Sequence, residues 1–156
     1  MYQPGHCGVA LALYAPICCV LVAAGSPTFA LLGGGVTVAL TMIPDLDTRT
    51  NRLRHRGATH TVAFAGAVGV LTALVGGIFG GATVAEFGLL VGTLSIVSHL
   101  LADVITPMGV RPFWPLSKRT FTLDIVPASD VRANVLLFVL GVAVAGGAWT
   151  LGHLLR

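Results

Sequence analysis

The chain has 156 residues, 55% hydrophobic and only 10% charged, with a mean hydropathy of +0.90 and a formal net charge of +3. That composition excludes an ordinary soluble domain, and so small a net charge gives no footing for nucleic-acid binding. Long uncharged stretches of about 20 residues point to membrane-spanning helices, and the length allows one domain over residues 1–156. The expected fold is all-α: an integral membrane bundle of four to five transmembrane helices with its site at one membrane face.

Five apolar segments follow one another along the chain. The first, 7–24, contains Pro16, which predicts a kink. The residues before it, MYQPGH, lack the Lys or Arg of a signal-peptide n-region, so this helix is expected to be retained. Gly25-Ser26-Pro27 is a turn signal. The second segment, 29–43, ends at Pro44 and at about 15 residues is short for a full span. It is expected to tilt, to be partly re-entrant, or to borrow the turn before it.

Residues 44–60, PDLDTRTNRLRHRGATH, form the only long polar stretch of the first hundred. Segments 61–80 and 84–106 are joined by a tight hairpin at Gly80-Gly81-Ala82-Thr83. Glycines four apart (Gly76/Gly80, Gly77/Gly81, Gly88/Gly92) predict close helix approach. A second loop, 107–130, carries Phe113 and Trp114 as interfacial anchors. The fifth segment is 131–154, with Trp149 near its far end. Cys7, Cys18 and Cys19 form no CxxC pair and read as lipid- or helix-facing thiols, Cys7 beside His6 being a lesser ligand candidate.

If all five segments span, residues 1–6 and the loops 44–60 and 107–130 share one side of the membrane. Arg49, Arg52, Arg54, Arg56, Arg111, Lys118 and Arg119 all lie there, which makes it the cytoplasmic side. The same side holds His6, Asp45, Asp47, His55, His60, His99 and Asp103, seven of the eleven His and acidic residues in the chain. His99 and Asp103 are i and i+4 on a helix and share a face, at a depth where ionisable groups are costly and mark a site. An extended PDLD segment would aim Asp45 and Asp47 the same way. His55 and His60 diverge by about 140° on a helix and meet only if Gly57 lets the chain turn. Thr59 or Thr61 is the expected N-cap of the third segment.

Neutral imidazole with carboxylate is the ligand set of zinc and other divalent metals. The expected ligands are His6, Asp45, His60, His99 and Asp103, with Asp47 and His55 beside them. The surplus of donors suggests one to three ions, or one ion with supporting partners and a general base. No Ser-His-Asp order and no phosphate-loop lysine is evident.

The set H…PDLD…HRGATHT…SHLLADVITPMGVRPFWP, covering His6 to Pro115, resembles the membrane-bound metal-dependent hydrolases, the inner-membrane-associated group described as LexA-binding hydrolases of bacteria and archaea. The usual serine after the second histidine is Thr61 here, and the frequent leucine before the helical aspartate is Ala102. More distantly, the order His6, Asp45 or Asp47, His60, His99 with Asp103 is similar to the ligand order of zinc-dependent phospholipase C and P1-type nucleases. Those enzymes continue with further His and Glu ligands, whereas after Asp103 this chain has only Asp124, Asp130 and His153. The nearer resemblance implies a hydrolase and the distant one implies phosphoester bonds.

The leading expectation is a membrane metal-dependent hydrolase acting on an ester or phosphoester of a membrane lipid or lipid-linked substrate. Asp47 and His55 would serve proton transfer or substrate contact, and Arg56 with its neighbours would hold an anionic headgroup. The alternative from another class is a non-catalytic membrane module whose structural metal site supports a regulatory protein partner. A transporter using His99 and Asp103 as a relay is disfavoured, because the polar groups gather at one face.

Overall fold

The computed structural model describes residues 1–49 and 57–156, the side chains of 47–49 excepted. It is helical, with no strand among the described residues, only an isolated bridge between Val110 and Phe121. Four helices are long and apolar enough to cross a membrane: α1 (Gln3–Ala23), α2 (Pro27–Leu40, whose apolar window continues to Leu46), α3 (Val62–Val104) and α4 (Val131–Leu154).

α1 begins at Gln3 and runs unbroken through Pro16. Pro4 lies in its first turn, where a missing N–H costs nothing and the fixed φ suits a helix. His6 is therefore on the helix rather than ahead of it. The short second segment is lengthened at both ends. Pro27 starts α2 two residues earlier than expected, and the chain beyond Thr41 re-coils into a 3-10 helix over Pro44–Arg49. This overturns the extended PDLD reading, because residues 44–49 coil at three residues per turn and do not run extended.

The 43-residue α3 carries the expected third and fourth segments. Gly81, at φ 74°, interrupts it in a conformation that a side chain rarely tolerates. The two arms then lie against each other, because the Thr72 hydroxyl donates to the Gly88 carbonyl at 2.6 Å. Sixteen residues of straight helix would separate those groups by about 24 Å, so the chain doubles back at the predicted hairpin. Thr61 caps the start of α3, accepting from the Phe64 N–H at 3.1 Å, and Asp130 caps α4 through the Ala133 N–H at 3.1 Å.

The packing follows membrane logic, in which small residues let helices approach. α1 and α4 meet most closely: a Cβ at Gly8 would run into the Leu137 backbone, and one at Gly141 into that of Gly8. Tyr14, Cys18, Val22, Ala30 and Val91 form one buried cluster, while Ala65, Val68 and Ile96 form a second below the polar end. Large apolar side chains such as Leu71, Leu74, Ile78, Val139 and Leu140 face outward. Thr37, Thr41, Ser95, Ser98 and Asn134 are buried instead. Every helix end bearing an expected ligand lies at one end of the bundle.

Candidate metal centre

His6 comes from the first turns of α1, and Asp45 from the 3-10 helix after α2. His60 closes a 3-10 turn, Ala58–His60, immediately before α3, and His99 and Asp103 lie on its last turns. Three imidazoles and Asp103 are buried to 1% exposure or less, and Asp45 is 23% exposed. The His6 and His99 rings stack with centroids 3.9 Å apart and planes within 2°, and His60 meets His99 edge-on at 5.0 Å.

The Nε2 atoms point at a shared centre. His6 Nε2 is 3.6 Å from Asp45 and 3.7 Å from Asp103, and His60 Nε2 is 3.6 Å from each. His99 Nε2 is 3.5 Å from Asp45, 3.7 Å from Asp103 and 3.2 Å from His60 Nε2. Carboxylate separations of 3.5 Å and more are too long for good N–H···O hydrogen bonds. They match the spacing of ligands around a common ion: tetrahedral donors at about 2.0–2.2 Å lie about 3.3–3.6 Å from one another.

Tautomers agree with that reading. His99 Nδ1 is 2.7 Å from the Thr41 carbonyl, which can only accept, so Nδ1 carries the proton and Nε2 the lone pair. His60 Nδ1 meets the Thr59 hydroxyl at 3.0 Å, again leaving Nε2 toward the centre. Neither His6 nitrogen has a hydrogen-bond partner among the described residues, although both are buried. A cation satisfies such a nitrogen where no protein group does. Asp103 Oδ1 accepts from the Met1 amino group at 3.0 Å, while Oδ2 is the atom nearest His60 and His99.

All five expected ligands are thus brought together, and His6 and His99, 93 positions apart in sequence, are in ring contact. Two overlapping triads, His6–Asp45–His99 and His60–His99–Asp103, have donor atoms close enough to hold a metal ion. Asp47's side chain, and His55 and Arg56 entirely, lie outside the described residues. Sequence reasoning missed two contributors. The Thr41 carbonyl that orients His99 is backbone and leaves no residue-type signal. Asn134 accepts from the Tyr2 N–H at 2.9 Å and donates to the Asp130 carbonyl at 2.7 Å, tying the start of α1 to α4. Its signal was available, as an amide in the apolar run of the fifth segment.

A multi-pass helical membrane protein with a buried His/Asp cluster at one end is the class these features define. The chain belongs to the YdjM inner membrane protein family, whose family model matches residues 1–155. That membership and the four candidate spans make it a multi-pass inner membrane protein. No curated protein and no solved structure gives a significant match.

Proposed function

We propose that this protein is a metal-dependent hydrolase whose centre faces the cytoplasm and acts on an ester or phosphoester of a lipid or lipid-linked substrate. The observation that carries the reading is the meeting of three imidazole Nε2 atoms and two carboxylates at 3.2–3.7 Å. The cytoplasmic orientation is supported by the sequence, which carries seven Arg and Lys residues in the two stretches 44–60 and 107–130.

His6, His60, His99 and Asp103 are the buried donors, and Asp45 completes the set. His99 has one lone pair to offer, because its Nδ1–H is committed to Thr41. The two triads that share it therefore describe one ion rather than two. A divalent ion held by these residues, most simply zinc, would supply Lewis acidity and activate a water for attack near neutral pH. We assign Asp45, the one partly exposed member, the transfer of a proton from an attacking water. Asp47, His55 and Arg56 fall in the sequence between Asp45 and His60, and we assign them proton transfer and anion binding.

Five donors exceed a tetrahedral shell, and a closed shell is the mark of a structural site. This favours, as a second reading, a non-catalytic module whose metal ties the helix ends together for a protein partner. One experiment separates the two. The purified protein and its His99→Ala variant are analysed for metal, then assayed on phospholipid and polyprenyl-phosphate substrates in micelles. Metal in the wild type alone, with turnover lost to chelator and restored by zinc or manganese, supports the hydrolase. Full metal occupancy with no turnover across the panel supports the structural module. Equal metal in both proteins overturns the centre itself.

A further inference from the structure

Residues 107–125, between α3 and α4, form an ordered hairpin that the proposed chemistry does not use. Its base is pinned to α3 just beyond Asp103: the Leu123 N–H donates to the Val104 carbonyl at 2.7 Å and the Thr122 hydroxyl to the Thr106 carbonyl at 2.7 Å. Val110 and Phe121 exchange backbone hydrogen bonds at 3.0 and 2.8 Å. On its other flank the Pro112 carbonyl accepts from the Val62 N–H at 2.8 Å, two residues from His60. The hairpin is therefore anchored to the chain next to His60 and next to Asp103.

Its outward surface is of two kinds. Trp114, Leu116, Leu123 and Ile125 are exposed, Leu116 almost completely at 95%. Arg111, Lys118 and Arg119 are exposed among them, and Asp124 is the only acid between 107 and 125. Arg111 Nε donates to the Thr120 hydroxyl at 3.3 Å and the Arg119 guanidinium lies over the Phe121 ring at 5.2 Å, which gathers both cations beside the bridge. Both ends of the hairpin issue from spanning helices, so it lies at headgroup depth. Apolar tips interleaved with cations there match acyl chains beneath anionic phosphates.

We propose that the 107–125 hairpin docks onto the anionic lipid headgroups of the bilayer, with Arg111, Lys118 and Arg119 on phosphates and Trp114 and Leu116 among the acyl chains. This docking does not depend on the centre being catalytic. The test uses the full chain carrying Trp149→Phe, which leaves Trp114 as the sole tryptophan, in vesicles of phosphatidylcholine with increasing phosphatidylglycerol. Trp114 emission should be blue-shifted and quenched by lipids brominated on the acyl chain, with quenching that rises with the phosphatidylglycerol fraction. The triple variant R111E/K118E/R119E should lose that rise, its apparent affinity for the anionic lipid falling at least about fivefold per reversed cation. A parallel Trp114→Phe series, read through Trp149, checks that the triple variant stays inserted; if it does not, single reversals replace it. Water-exposed, unquenched Trp114 in every vesicle overturns the docking and leaves the surface to a protein partner. Quenching that is equal with and without phosphatidylglycerol overturns the anionic part.

Discussion

At the scale of single residues, the centre rests on His99. Its Nδ1–H is held by the Thr41 carbonyl, its ring is stacked on His6, and its Nε2 faces both carboxylates. His99→Ala should abolish metal binding, read by elemental analysis, because it removes a ligand and the stacking surface of a second. Asp103→Asn keeps shape but loses charge, and should cost far more metal affinity than the about 10–100-fold typical of a group acting only through a ligand. A change confined to that lower range would demote Asp103 to a supporting partner. His55→Ala should leave metal content near wild type while turnover falls, if that residue contacts substrate.

At the scale of elements, the candidate ligands are also brought together by helix contacts made away from them. α1 brings His6 to the centre because Gly8 and Gly141 let its backbone touch that of α4. Gly8→Leu should force these helices apart and lose metal with every ligand still present. Gly35→Leu, at a position with open space around it, should insert, fold and bind metal as the wild type does. Equal metal content in the two variants would mean that the contact does not position His6. The α3 hairpin depends on Gly81 at φ 74°. Gly81→Ala should lower the unfolding temperature in detergent, by the about 1 kcal/mol or more that a left-handed conformation costs a residue with a Cβ. No shift would mean that the turn relaxes to another geometry.

At the scale of the whole molecule, a chain with its polar groups inside and its large apolar side chains outside has the inverse of a soluble core, as lipid requires. The chain runs from the end that carries the His/Asp cluster through α1, back along α2, out and back through the two arms of α3, and out again along α4. The termini therefore lie at opposite ends. If the arginine-rich loops set the orientation, a periplasm-active reporter fused after Arg156 should be active and a cytoplasm-active one silent. The reverse result would put the centre outside. Metal should also stabilise the folded bundle by mass action, so a chelator should lower the unfolding temperature of the wild type and not that of His99→Ala.

What the sequence determined by itself was whatever depends on residue type and local spacing: the apolar segments, the turn at Gly81, the Thr61 cap and the five ligand candidates. Apolar run length answers to bilayer thickness, and buried His and Asp in such a chain are too costly to be incidental. Contacts made across the fold were not legible there. His6 reads as a residue ahead of a helix until Pro4 starts α1 early, and Asp45 with Asp47 reads as an extended pair until Pro44 begins a 3-10 helix. The backbone carbonyl of Thr41, which sets the His99 tautomer, has no sequence signature. Only the tertiary structure decided that five donors from four separate stretches of chain share one centre, because that distance is set by how closely the helices pack.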